Sequence, residues 1–213
     1  MKTDDLITML ATHAAPVPRR AVSHRLQRAL LLALPLSLAW MLLGYGVRRD
    51  LIEAMFWPMF WVRLLFSVCI GIAGYVMVHR LARPGARVRR AWLGVAVPLA
   101  LIWLLALAAW LSAPAADRAA LVWGQTWRSC ALSIAALSLP VLVAALLALR
   151  GLAPTRPVLS GAAAGVLAGG TGATVYALHC PELAAPFLAI WYVAGIALSV
   201  LAGAVAGARV LRW

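Results

Sequence analysis

Charged residues are scarce in this chain of 213 residues, where Asp, Glu, Lys and Arg together make up only 12%. Soluble domains carry about 25% charged and about 45–50% apolar residues. Here 65% of the residues are hydrophobic and the mean hydropathy is +0.94. This composition excludes a soluble globular enzyme, a disordered tail and a disulfide-rich secreted module. A polytopic membrane protein is the class that remains.

Acidic residues and cysteines are also few. Six Asp and Glu stand against 19 Lys and Arg, which gives a net charge of +13. Nucleic-acid-binding proteins show a similar excess, but here the basic residues flank apolar blocks and form no basic face. We therefore expect the basic residues to determine the orientation of the chain in the membrane, and we expect no direct contact with nucleic acid. The three cysteines contain no CxxC pair, which excludes a zinc ribbon and a thioredoxin-type dithiol.

Six apolar blocks are long enough to cross a bilayer, whose hydrocarbon core of about 30 Å requires about 20 helical residues. In lipid a helix satisfies its own backbone hydrogen bonds, and the alternating strands of a membrane barrel are absent from the sequence. The sequence therefore predicts an all-α membrane protein, a six-transmembrane-helix bundle with a short cytoplasmic N-terminal segment. The predicted parts are the N-terminal segment 1–28, the transmembrane domain 29–208 with spans 29–47, 59–78, 91–111, 129–149, 158–178 and 187–208, and the C-terminal tail 209–213.

Basic residues are distributed unevenly between the two sides of these spans. Fourteen of the 19 lie on one side with two acids, and five lie on the other with four acids, so the sides carry +12 and +1. Cytoplasmic segments retain Lys and Arg, so we expect both termini to be cytoplasmic. Because 28 polar or mixed residues precede the first apolar block, we expect no cleaved signal peptide.

No Asp, Glu, Lys, Arg or His lies within the predicted spans, apart from Arg63 near the outer end of the second span. Ion-coupled transporters and proton relays need ionisable or strongly polar groups at mid-depth, so secondary transport is disfavoured.

Small residues recur every four positions in the last two spans, which places each set on one stripe of a helix. We expect the stripes to face each other or another span, and a glycine-lined substrate path is the alternative. The stripes consist of Gly161, Gly165 and Gly169 in the fifth span and Gly195, Ser199, Gly203 and Gly207 in the sixth.

Two cysteines map to the outer side, Cys130 at the start of the fourth span and Cys180 in the turn between the fifth and sixth. Thiols outside the cytoplasm are not kept reduced, so this pair can form a disulfide if its Cα atoms lie within about 4.4–6.8 Å. The neighbouring Arg128 and His179 favour thiolates, which react with oxidants and soft metal ions. The alternative interpretation is that both cysteines are buried spectators.

Glu182, Arg63 and Arg128 share the depth of these thiols. A carboxylate at the end of a membrane helix, away from water, is stabilised by pairing with a cation. We therefore predict that Glu182 pairs with one of the two arginines and fixes the turn that bears Cys180, and the alternative is that all three are hydrated. Cys130, Cys180 and His179 are candidate metal ligands, but two thiols and one imidazole make an incomplete site.

The first eleven residues predict a short amphipathic helix with acids in its first turn. The helix is too short to fold alone, and a stiff proline-containing spacer at residues 14–18 precedes the basic residues of 19–28. A tethered amphipathic peptide suits docking to a cytosolic protein by the helix-in-groove mode. The candidate contact residues are Asp4, Asp5, Leu6, Ile7, Met9 and Leu10.

Several short motifs along the chain form a set. They are Thr3-Asp4-Asp5-Leu6-Ile7 with Leu10-Ala11 and Pro16-Val17, the pair Trp127 and Cys130, Gly161 to Gly165 after Arg156-Pro157, and Tyr176-Ala177-Leu178-His179-Cys180-Pro181-Glu182 followed by Phe187 and Trp191-Tyr192. Together with six spans, the set resembles the NrsF-type (negative regulator of sigma F) membrane anti-sigma factors. The resemblance spans nearly the whole chain.

The resemblance implies a protein that holds an extracytoplasmic-function (ECF) sigma factor at the bacterial inner membrane through its cytoplasmic N-terminal segment. It also implies that Cys130 and Cys180 sense oxidative or heavy-metal stress and release the sigma factor. Such a regulator is not an enzyme, and we expect no cofactor and no small-molecule substrate. The alternatives are a thiol-redox membrane enzyme, which the missing CxxC disfavours, and a membrane transporter subunit.

Overall fold

The computed structural model describes residues 3–12, 21–83, 90–152 and 154–212. Within these ranges the chain consists of helices and turns and contains no β-strand, which confirms the predicted all-α class. Six of the described helices are long and apolar enough to cross a bilayer. The predicted spacer at residues 14–18 lies outside the described residues.

The long helices begin and end near the predicted spans, except that the first begins well before residue 29 and the last begins at residue 193, six residues after the predicted 187. They are α2 (Ala21–Gly44), α4 (Pro58–Leu81), α5 (Leu93–Ser112), α7 (Trp127–Arg150), α8 (Pro157–Tyr176) and α10 (Val193–Val210). The short helices are α1 (Thr3–Thr12), α3 (Leu51–Ala54), α6 (Arg118–Trp123) and α9 (Ala185–Phe187), and a π-helical turn, Leu188–Tyr192, joins α9 to α10. Helix α2 begins before its predicted span and includes Arg25, whose Nη1 donates to the carbonyl of Gly151 after α7.

Helix α8 is the centre of the bundle. It packs against α4, α7 and α10, and most of its residues are buried. Its sequence is rich in Gly and Ala, which let neighbouring helix backbones approach closely where lipid provides no hydrophobic contrast. Helix α5 is much less buried than α8. It packs mainly against α4 and α9 and leaves most of its apolar side chains exposed.

The small-residue stripes of the last two spans face each other, as predicted. A Cβ atom on Gly161 would overlap the backbone of Gly203, and one on Gly165 would overlap the backbone of Ser199. The first stripe residue of α10, Gly195, packs against α7 instead. At Gly161 and Gly165, helices α8 and α10 are therefore in direct backbone contact, with no room for a side chain between them.

Buried side chains form two clusters, one towards each end of the bundle. One cluster contains Cys130, Cys180, Tyr176 and Tyr192. The other is aliphatic and surrounds the opposite ends of α2, α4, α7 and α8. The first cluster positions the candidate site, because it encloses both cysteines that the sequence singles out.

A buried pair of thiols and the turn that bears it

Cys130 lies in the first turn of α7, and Cys180 follows α8. Both side chains are fully buried and both are free thiols. The two side chains belong to one buried cluster, and Cys130 is the largest influence on the pKa of Cys180, so the structure brings the two predicted residues together. Thr126, which precedes α7, is a further neighbour whose hydroxyl oxygen lies 4.0 Å from Cys180 Sγ.

Residues 177–182, which we call the thiol turn, connect α8 to α9. A helix C-terminus leaves its last carbonyl groups without intrahelical donors, and here Arg63 of α4 supplies them. Arg63 Nη2 donates to the carbonyl of Ala177 at 2.8 Å. Arg63 Nη1 donates to the carbonyls of Cys180 at 2.9 Å and Glu182 at 2.7 Å. The Arg63 side chain is completely buried, so it fixes the thiol turn from inside the bundle.

A second arginine, Arg48, holds the thiol turn from the loop after α2. Its Nη1 donates to the Cys180 carbonyl at 3.1 Å, and its backbone N–H donates to the Leu178 carbonyl at 3.2 Å. The guanidinium also pairs with Asp50 at 2.6 Å, and the hydrogen bond from Arg48 lowers the pKa of the Asp50 carboxyl to about 2. In the sequence, Arg48 is one of the five basic residues on the less basic side, and the acid at position 50 is the one signal of an ordered pair.

The prediction that the Glu182 carboxylate pairs with an arginine is wrong. Glu182 Oε1 accepts the backbone N–H of Gln125 at 2.6 Å, beside Gly124, which ends α6 with a φ of +51°. Arg63 reaches the main-chain carbonyl of Glu182 and not its carboxylate. The physical reason is that a tight turn leaves backbone N–H groups without partners, and a carboxylate satisfies one of them with a charge-assisted hydrogen bond.

Arg128 and His179 lie at the edge of the site, and neither hydrogen-bonds to the sulfur atoms. Arg128 Cζ lies 5.3 Å from the centroid of the Trp127 ring. His179 Nδ1 donates to the carbonyl of Gly46 at 2.9 Å. Among the described residues, no group of three His, Cys, Asp or Glu side chains is placed to hold a metal ion. A metal role for the site therefore depends on the two thiols alone and stays a prediction.

Arg63 is a buried cation, and no carboxylate of the described chain lies within ion-pair distance of it. The hydrogen bond from the Cys130 thiol lowers the pKa of Cys180, and burial opposes this shift. The charge of Arg63 and the backbone N–H of Glu182 also lower the pKa of Cys180. The arrangement therefore lowers the pKa of Cys180 towards the thiolate form, whose negative charge interacts favourably with the charge of Arg63.

Aromatic side chains close the site. Tyr192, at the end of the π-helical turn, is fully buried, and its ring centroid lies 6.0 Å from that of Tyr176. Trp123, Trp127 and Trp191 form a cluster with centroids 4.9–5.7 Å apart. Trp191 Nε1 also donates to a main-chain carbonyl of α6 at 3.0 Å. Because these contacts bury both thiols, reagents reach the sulfur atoms only when the elements around them separate.

Comparison with known proteins gives a consistent result over the whole chain. The family model described as "NrsF: Negative regulator of sigma F" matches residues 10–213. The "Probable anti-sigma-F factor NrsF" of Azospira oryzae is 42% identical over 213 residues, which is 100% of both chains. The "Anti-sigma-F factor NrsF" of Caulobacter vibrioides is 42% identical over 218 residues, again 100% of both chains. No solved structure matches the chain.

Proposed function

The chain belongs to the family of negative regulators of sigma F, and from this premise we propose that it is a membrane-bound anti-sigma factor. It binds a sigma factor and keeps it from initiating transcription. The observation that carries the proposal is the similarity over full length to two proteins named as anti-sigma-F factors. The role is regulatory and requires no catalysis, cofactor or small-molecule substrate.

The partner that we propose is an ECF-class sigma factor, held by the N-terminal segment 1–28. Helix α1 supports this role because Ile7 and Met9 expose more than half of their surface and acids occupy its first turn. An exposed apolar and acidic helix suits an apolar groove with a basic rim. The proposed contact residues are Asp4, Asp5, Leu6, Ile7, Met9 and Leu10.

The proposed orientation puts the N-terminal segment and the tail 209–213 in the cytoplasm and the thiol turn outside the inner membrane. The charge asymmetry of the sequence supports it. In spheroplasts, a membrane-impermeant maleimide should label an Asp117→Cys variant and spare an Arg83→Cys variant, both at exposed positions. The reverse labelling pattern would contradict the orientation.

The proposed trigger is chemical change at Cys130 and Cys180. A two-electron thiol oxidant accepts two electrons, the two sulfur atoms form one S–S bond, and the remaining thiol proton leaves to solvent. The Cys180 thiolate then no longer compensates Arg63. An uncompensated buried charge costs about 3–5 kcal/mol, and moving a two-state equilibrium from 1:99 to 99:1 takes about 5.5 kcal/mol. The two magnitudes are comparable, so loss of this compensation is the proposed driving force for release, and a soft metal ion bound by both sulfur atoms would act on the same contacts.

Helix α7 is the proposed link between the thiols and the N-terminal segment. Cys130 lies in its first turn, and further along Ser37 of α2 donates to the Leu137 carbonyl at 2.7 Å. Near the opposite end of α7, Arg25 Nη1 donates to the Gly151 carbonyl at 2.6 Å. Because α2 follows the N-terminal segment in the chain, a displacement of α7 moves the base of that segment.

Serine variants of the two buried cysteines test the trigger. Cys130→Ser and Cys180→Ser should each abolish the induction of a sigma-dependent reporter by a thiol oxidant or cadmium. Cys69→Ser is the matched control, because Cys69 lies in α4 outside the buried pair, and it should retain full induction. Unchanged induction in both site variants would refute the thiol trigger.

Deletion of residues 2–13 tests the docking segment independently of the thiols. The reporter should become constitutively active, provided that immunoblots show normal amounts of the truncated protein in the membrane. Repression that persists after the deletion would end the claim that this segment holds the sigma factor.

A further inference from the structure

A groove of about 590 Å³ lies between α4 and α5 and is open along one side. Its lining is apolar over most of its length and includes Ile72, Ala73 and Val76 of α4 and Leu93, Val97 and Pro98 of α5. At one end it is bounded by two exposed arginines, Arg80 and Arg90. The volume falls within the range of about 300–1,000 Å³ that is typical of small-molecule sites.

The groove has the length of one bilayer leaflet. On α4 its lining runs from Cys69 to Arg80, and Ile72, Val76 and Arg80 follow at intervals of four residues, so they share one face of the helix. The rise from Cys69 to Arg80 is roughly 16 Å at 1.5 Å per residue. Half of a hydrocarbon core of about 30 Å is about 15 Å, so an acyl chain fits along this face with its head group at the arginines.

The cationic end of the groove has no acidic partner in the described structure. Arg80 and Arg90 make no ion pair with a described residue, and the chain contains no Asp or Glu between Glu53 and Asp117. Two guanidinium groups at the mouth of an apolar groove match a phosphate attached to an acyl chain. Basic pockets between membrane helices bind acidic lipid head groups in this way.

We propose that this groove binds an anionic phospholipid, with its phosphate against Arg80 and Arg90 and one acyl chain along the apolar lining. The proposal rests on insertion of the six long helices into a bilayer and is independent of sigma-factor binding. The bound lipid bridges α5 to α4, which is the helix that carries Arg63.

The test uses the full chain purified in a mild detergent and native mass spectrometry with phosphatidylglycerol or phosphatidylcholine. The site variant is Arg80→Gln/Arg90→Gln. The matched control is Arg150→Gln/Arg209→Gln, which removes the same charge from the ends of α7 and α10, away from the groove. Thermal unfolding in detergent checks that both variants fold. A Val97→Trp variant, at a half-exposed lining position, blocks the acyl chain and leaves the arginines in place.

Phosphatidylglycerol should bind the native chain in preference to phosphatidylcholine, and Arg80→Gln/Arg90→Gln should weaken that binding by about tenfold or more. The control should stay within about twofold, and Val97→Trp should also weaken binding. Equal losses in the two arginine variants, or equal binding of the two lipids, would overturn the proposal. Displacement of the lipid by millimolar inorganic phosphate would also overturn it, because the site would then recognise phosphate without the acyl chain.

Discussion

At the scale of single residues, Arg63 determines the shape of the thiol site. One guanidinium satisfies three carbonyl groups of the thiol turn, and its own charge lies beside Cys180. Hydrogen bonds to charged groups contribute about 1.5–3 kcal/mol each, and buried carbonyl groups left without donors add a further penalty. Arg63 therefore couples the geometry of the turn to the chemical state of the thiols.

Replacement of Arg63 by methionine keeps an unbranched side chain and removes the donors and the charge. Arg63→Met should lower the free energy of unfolding by about 3 kcal/mol or more, measured in detergent, and should speed the alkylation of Cys180 by iodoacetamide. Arg128→Met is the matched control, because Arg128 contacts the Trp127 ring and not the thiol turn. Equal alkylation rates in the two variants would show that Arg63 does not hold the turn.

The pH dependence of Cys180 follows from its lowered pKa. The thiolate is the reactive form, so alkylation of Cys180 should rise with pH around a midpoint below the value of about 8.5 for a free cysteine. Cys130→Ala removes the hydrogen bond that is the largest cause of the shift, and it should move the midpoint upwards. Cys69→Ala should leave the midpoint unchanged. Mass spectrometry of the peptide that contains Cys180 reports the rate, and a midpoint at or above that of a free cysteine would contradict this reasoning.

The sequence predicts which residues form the site better than it predicts their hydrogen-bond and ion-pair partners. Cys130 and Cys180 were predicted at equal depth. Arg63 was conspicuous because it lies inside an apolar span, where a charged residue has a functional or structural role. Glu182 was assigned the wrong partner because sequence gives the depth of a group but not which backbone groups a turn leaves unsatisfied. The N–H of Gln125 is one such group.

At the scale of helices, a long apolar run identifies a span, but a short helix gives no such signal. All six long helices were predicted from their apolar blocks. Helices α3 and α6 contain only four and six residues, too few to show a period, and tertiary contacts determine them. The π-helical turn at Leu188–Tyr192 was also not predicted, although such turns frequently occur at functional sites, and here the turn places Tyr192 in the cluster that contains the thiols.

The contact between α8 and α10 predicts that alanine substitution at two glycines has very different effects on the free energy of unfolding. Gly165→Ala puts a Cβ atom into the backbone of Ser199, so it should lower the free energy of unfolding by about 1–3 kcal/mol. Gly71→Ala in α4 is the matched control, because its Cβ atom would lie 3.6 Å from the nearest neighbouring atom, an ordinary contact. Thermal unfolding in detergent measures both, and equal stability of the two variants would contradict the close approach of α8 and α10.

At the scale of the whole molecule, the thiol turn and the beginning of α2, which follows the candidate docking segment in the chain, lie at opposite ends of one bundle. The thiol turn follows the end of α8 that is packed among aromatic residues, and the N-terminal segment precedes α2 at the end that carries most of the basic residues. The centre between them is tightly packed around α8. In the proposed mechanism, a change at the thiols would act on the N-terminal segment through rearrangement of packed helices such as α7 and α2.

The most direct measurement is retention of the sigma factor by the full chain in lipid nanodiscs, before and after oxidation. We expect the reduced protein to retain an ECF-class sigma factor from the same cell and to release it when a thiol oxidant joins Cys130 to Cys180. The Cys180→Ser variant should retain the sigma factor under both conditions. Equal retention by the reduced and oxidised native protein, with the disulfide verified by mass spectrometry, would contradict the proposed coupling between the thiols and the sigma factor.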